Sequence, residues 1–93
     1  MQFLVVARDG TDADAESRRR IARPAHSALV QAMKADGRFV VGGHTLGDDG
    51  RIAGSAMIVE FPTREAFDAW LETEPYVAGG VWTHIEVTRV NLG

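Results

Sequence analysis

The chain has 93 residues, a formal net charge of −3 from 10 Lys+Arg against 13 Asp+Glu, and no cysteine. This length argues for one domain spanning residues 1–93, the missing cysteines exclude disulfides and thiolate metal sites, and the charge balance gives no basic footprint for nucleic acid. A chain this short buries only a modest share of its surface, so with no disulfide staple a second subunit is the natural source of added stability.

The opening "MQFLVVARDG" has too short an apolar run, with no basic region before it, to read as a signal peptide. No segment approaches the roughly 20 apolar residues of a membrane span. A soluble, cytoplasmic protein is expected. Phe3–Ala7 is a short apolar run rich in β-formers and reads as the first strand. "RDGTDAD" breaks it with turn chemistry. The run Arg18–Arg20 follows the acidic "DADAE" and reads as a solvated face with local charge pairing. The first helix is expected from Pro24 to about Asp36, with proline in its first turn and Gly37 beyond its end. Asp14–Arg23 is open: Arg23 precedes proline and is biased away from helical geometry. Arg38–Gly43 is the second strand, followed by the glycine-rich "HTLGDDGRIAG" with its Asp49-Gly50 turn signal. Ser55–Phe61 is the third strand, paired as a hairpin with the second. The second helix starts after Pro62 with Thr63 as N-cap, buries Ala66, Phe67, Trp70 and Leu71, and ends at Glu74 before Pro75. Val81–Val90 alternates as the fourth strand, with Val81, Thr83, Ile85 and Val87 on one face and Trp82, His84, Glu86 and Thr88 on the other.

The order βαββαβ is the split βαβ pattern of an α+β, ferredoxin-like fold. It predicts a four-stranded antiparallel sheet with two helices on one face. Strands one and three are nearly continuous apolar runs, as central strands buried on both faces should be. Leu4 and Val6 are as apolar as Phe3, Val5 and Ala7, yet two helices cover only one face. An open apolar face marks an interface, so a homodimer packed through the open sheet face is expected.

His26 carries the first candidate chemistry. An apolar helical stripe of Ala25, Ala28, Leu29, Ala32 and Met33 puts it roughly 90° from the stripe's centre, at a boundary where a cleft can form. Histidine is suited to exchange a proton near neutral pH. Glu74, at the end of the second helix, lies where both helices share a sheet face and can approach His26. A carboxylate beside an imidazole suits acid–base work. His44 and His84 have no recognised ligand spacing with His26, so no metal site is expected. The "GDDGRIAG" loop precedes a strand and presents no helix N-terminus to a phosphate.

With "RPAH" opening the first helix, "DGR" after it, "GS" before the third strand and "EPYVAGGV" before the fourth, the chain resembles the YCII-related (YciI-like) proteins over essentially its whole length. The resemblance implies a ferredoxin-like protein of the dimeric α/β-barrel type with a histidine–aspartate pair in a cleft. Some members are linked to lyase-type removal of halide from hydroxylated aromatics. His26 carries over as the histidine. Glu74 stands at the acid, one methylene longer than the family's aspartate. Gly42 and Gly43 match a small-residue turn after the second strand, and His44 stands where proline is common.

The expected function is a small enzyme with no cofactor, a lyase or isomerase acting on a small cyclic or phenolic anion. His26 would move the proton and Glu74 would orient it. Ser55, Tyr76, Arg23 and Gly43 are the expected substrate-binding residues, Arg23 because its guanidinium suits bidentate contact with an anion. The alternative is a dimeric module that binds a small ligand or docks a partner without turnover.

Overall fold

The computed structural model describes all 93 residues. The elements are β1 (Gln2–Asp9), α1 (Ala15–Ala35), β2 (Phe39–Leu46), β3 (Ile52–Glu60), α2 (Arg64–Thr73), α3 (Pro75–Ala78) and β4 (Trp82–Val90). The strands form one sheet in the order β2-β3-β1-β4 with every neighbour antiparallel. The expected ferredoxin-like fold is present, with β1 and β3 central and the helices on one face. The single-turn α3 is an addition the sequence reading did not contain.

Strand alternation separates the two faces. Phe3, Val5 and Ala7 of β1 pair with Val59, Met57 and Ser55 of β3, and all six are buried beneath the helices. Thr63 caps α2 by accepting from the Ala66 N–H at 3.0 Å. The helix then buries Phe67 and Trp70. Phe67 stacks on Phe3 with ring centroids 4.4 Å apart, and Phe61 joins both aromatic neighbours. This aromatic cluster supplies much of the apolar burial at one end of the domain.

The first helix covers the span expected from Pro24 onward, and the stretch left open before it is helical too: the helix starts at Ala15 and runs through Pro24 without a break. Proline there removes the donor to the Arg20 carbonyl and normally disfavours a helix by about 3 kcal/mol. Side chains upstream of it hold the helix to the rest of the domain. Arg18 bonds both Asp12 carboxylate oxygens, at 2.7 and 2.6 Å, and the Gly80 carbonyl at 3.1 Å. The Arg18 hydrogen bond holds the Asp12 carboxyl down to about 2. Arg19 is buried against the sheet. The "RRR" run is thus locally paired at Arg18, as expected, but Arg19 does not belong to a solvated face.

The inward stripe also differs. Residues Ala15, Arg19, Ala22, His26, Leu29 and Met33, spaced alternately four and three apart, form a continuous stripe turned from solvent, with Ser17, Arg18 and Val30 partly covered beside it. Ala25, Ala28 and Ala32 are exposed. Alanine's small apolar side chain tolerates water, so three of them do not define a core face. His26 therefore sits near the middle of the inward stripe, not at its border.

The β2–β3 hairpin is longer than expected. β2 continues to Leu46 and β3 begins at Ile52, leaving a short turn in which Gly50 takes φ +81°. Gly54 pairs with Arg8, and a Cβ there would collide with the Ala7 carbonyl oxygen. That is the physical need for the glycine of the "GS" pair, Gly54–Ser55. Gly54→Ala is expected to destabilise the fold by about 1–3 kcal/mol, read as a lower urea midpoint at unchanged slope.

Candidate active site

His26 projects from α1 toward the sheet, and Glu74 occupies the joint between α2 and α3. The residue before a proline is pushed to extended backbone, and Glu74 takes φ −59°, ψ 123°. That turn points its carboxylate inward. Oε1 accepts the Tyr76 N–H at 3.1 Å, capping α3, and lies 2.6 Å from His26 Nδ1. The extra methylene of glutamate therefore reaches the imidazole. An ionised carboxylate only accepts, so opposite an ionised Glu74 the proton sits on Nδ1, and in the neutral imidazole the free lone pair is then on Nε2. The Glu74 carboxylate is fully buried, and its Oε2 has no partner.

The imidazole is held on two further sides. Tyr76 stacks on it with centroids 3.9 Å apart and planes 12° from parallel. Trp82 meets it edge-on at 6.1 Å. Trp82 was expected on the opposite face of β4, with His84. A register shift between Arg8 and Asp9 explains the difference: Arg8 pairs with His84, but Asp9 pairs with Trp82. The extra residue, Thr83, flips everything beyond it to the other face. Trp82 is buried in consequence, and His84 stays exposed, 3.4 Å from the Glu86 carboxylate and away from this site.

Behind Tyr76 lies Arg19. Its Nε bonds Asp9 Oδ2 at 2.6 Å, and its two terminal nitrogens reach the Tyr76 hydroxyl at 3.3 Å and Ser55 Oγ at 3.1 Å. The guanidinium carbon stands 4.7 Å over the Tyr76 ring. Burial pushes the Tyr76 phenol above its usual range, despite the nearby Arg19 charge. His44, on edge strand β2 opposite Ser55, is pushed down by burial and then by the charges of Arg19 and Arg23.

A cleft of about 240 Å³ opens beside this cluster, walled by Arg23, His26, Gly43, His44, Ser55 and Tyr76 among others. All the residues expected to bind substrate, Arg23, Ser55, Tyr76 and Gly43, are among its walls. Glu74 stands behind His26. A larger groove of about 1060 Å³ shares Arg23 and His44 with the cleft but contains neither His26 nor Glu74. The smaller cleft is therefore the candidate site. No three His, Asp or Glu side chains are grouped to hold a metal ion.

The model of the YCII-related domain matches residues 1–91. The protein YciI of Escherichia coli O6:H1 (strain CFT073) is 36% identical over 93 residues, 94% of this chain and 93% of that protein. The chain belongs to the YCII-related family. Among solved structures, this YCII-related chain is similar to 5-chloro-2-hydroxyhydroquinone dehydrochlorinase (TftG) from Burkholderia phenoliruptrix AC1100 in complex with 2,5-dihydroxybenzoquinone. The TM-score is 0.85 at 28% identity, covering 100% of this chain and 96% of the other. A dimeric ferredoxin-like protein of unknown function from Jannaschia sp. CCS1 shares the fold, with TM-score 0.55, 12% identity and 98% of each chain covered.

Three parts of this YCII-related site escaped the sequence reading: Arg19, its partner Asp9, and Trp82. Arg19 had a usable signal. It precedes His26 by seven residues, two helical turns, and so shares its face. Two polar residues on one inward stripe mark a site more sharply than either alone. Trp82 had none, because a bulge in β4 has no clear residue signature here.

Proposed function

We propose that this protein is a small lyase that removes halide from a halogenated hydroxyhydroquinone, or from a close cyclic anion, by proton transfer at His26. The observation that carries the reading is the 2.6 Å contact between His26 Nδ1 and buried Glu74 Oε1 at the edge of a ring-sized cleft. The likeness to the dehydrochlorinase TftG across the whole chain supports the substrate class.

The chemistry balances with the residues at hand. His26 Nε2 takes a proton from a ring hydroxyl, and the oxygen's electron pair forms a carbonyl. The same nitrogen returns that proton to the halogen-bearing carbon. Loss of a second hydroxyl proton then makes the second carbonyl, and the halide leaves with its bonding pair. The sum is loss of hydrogen halide and formation of a quinone, with no net oxidation. Glu74 fixes the tautomer and supports the imidazolium while it exists. Arg23 pairs with the anionic substrate at the mouth, and Gly43 leaves the wall open because nothing lies within 4 Å of where its Cβ would be. The test is chloride release from 5-chloro-2-hydroxyhydroquinone under anaerobic conditions. Stoichiometric chloride and quinone are expected; tight binding with no chloride release would contradict the reading and favour a ligand-binding module.

The protein acts as a homodimer in this reading, packed through the open sheet face. Leu4, Val6, Ala56 and Ile58 are only partly covered there and Val41 is exposed. Ile58→Glu is expected to convert the dimer to monomer in analytical ultracentrifugation. A wild-type protein that sediments as a monomer at micromolar concentration would contradict this.

A further inference from the structure

Arg19 is buried, yet it has no part in the His26–Glu74 pair. Its donors point inward: Nε and one terminal nitrogen to Asp9, the two hydrogens of that same nitrogen shared also with the Gly54 carbonyl at 3.3 Å and Ser55 Oγ, and one hydrogen of the other terminal nitrogen to the Tyr76 hydroxyl. A guanidinium donates and never accepts. Each of the two hydroxyl oxygens therefore receives a hydrogen from Arg19, and each must send its own hydrogen elsewhere. Neither hydroxyl donates to any acceptor in the chain, although both residues are buried. Both line the cleft beside His26. With no acceptor in the chain, both hydroxyl hydrogens are free for an acceptor in the cleft, and a ligand oxygen there can take them.

The electrostatics give the sign of that ligand. A cation directly behind the two hydroxyls polarises them and makes each a stronger donor. Asp9 holds the guanidinium in place, so the donors are set before any ligand enters. Donors fixed in advance in a poorly solvated site stabilise a developing or resident negative charge. The raised Tyr76 phenol keeps its hydrogen and so remains a donor.

We propose that Ser55 and Tyr76, aligned by the Asp9–Arg19 pair, form an oxyanion-holding pair, and that the cleft selects a cyclic substrate bearing one deprotonated ring oxygen together with one hydroxyl. The oxyanion accepts from Ser55 and Tyr76 while the hydroxyl faces His26 Nε2. Arg19 is a positioning residue in this scheme; it touches the hydroxyls and not the substrate. The inference rests on the proton-transfer reading above and narrows its substrate class.

The test titrates the coloured monoanion of 4-nitrocatechol, which carries one oxyanion and one hydroxyl, against 1,2-dimethoxy-4-nitrobenzene, which carries neither. Wild type should prefer the anion by at least about tenfold, and Ser55→Ala and Tyr76→Phe should each erode that preference by about tenfold. Arg19→Lys, which keeps the charge but not the fork, should erode it as far as the double variant. Added to the double variant, Arg19→Lys should cause no further loss, whereas a merely structural Arg19 would weaken both ligands alike. If Arg19→Lys does not fold, the two hydroxyl variants decide. A wild-type preference retained in both of them would overturn the oxyanion pair while leaving halide release intact. Wild-type protein that binds neither probe and releases no halide would overturn the proton-transfer reading as well.

Discussion

His26→Asn is expected to lower halide release by about 10²–10⁴-fold, the range that one positioned acid–base group contributes, while the protein stays folded. Asparagine is the informative replacement. Its side-chain amide nitrogen stands one bond from Cγ, as Nδ1 does in histidine, and it can still donate to Glu74. It has nothing to take up a proton at neutral pH. Alanine would instead leave the Glu74 carboxylate buried without its main partner, and removing one member of a buried pair typically costs 3–5 kcal/mol. A loss of activity in alanine would then mix chemistry with unfolding. Steady-state chloride release beside a thermal melt separates the two. Activity within threefold of wild type in His26→Asn would remove His26 from the reaction.

Glu74→Gln is expected to move activity and stability differently. The Tyr76 N–H and His26 Nδ1 both lie on Oε1, so the amide oxygen takes that place and the tautomer is kept. The negative charge is lost. A hydrogen bond to a charged partner is worth about 1.5–3 kcal/mol against about 1 for a neutral one, and the imidazolium formed in turnover loses that difference. Turnover should fall by about 2–30-fold, with KM changed little because Glu74 stands behind His26 and off the cleft wall. The fold should hold within about 1 kcal/mol, since an unmatched buried oxygen is exchanged for an unmatched amide while a buried charge is removed. A variant that keeps full turnover would reduce Glu74 to a cap for α3.

The contrast between these residues and Arg19 shows where sequence patterns reach and where they stop. The ferredoxin-like order was legible because each strand carries its own period-two pattern and each helix its own boundary signals, local features that neighbours reinforce. His26 and Glu74 were legible because the topology brings the first helix, which carries the histidine, and the end of the second, which carries the acid, onto one sheet face. The N-terminal half of α1 was not legible. Its local signal, Arg23 before Pro24, is overridden by contacts that Arg18 and Arg19 make with Asp12, Gly80, Asp9 and Ser55, and long-range contacts leave no periodic trace. The inward stripe was misread for a related reason. Counting apolar residues selects three exposed alanines and skips Arg19 and His26, the two positions where burial is met by hydrogen bonds. The approach of the Glu74 carboxylate to His26 depends on the backbone angles at Glu74, which only the fold supplies.

In the proposed reaction a proton, moved by His26, replaces the halide on carbon. The most direct measurement is to run halide release in D₂O under anaerobic conditions and locate deuterium in the product by mass spectrometry and NMR. One deuterium is expected on the ring carbon that lost halide, delivered by the wild-type protein and not by His26→Asn. A product that instead carries solvent oxygen on that carbon, with no deuterium, would mean displacement by water and would contradict the claim.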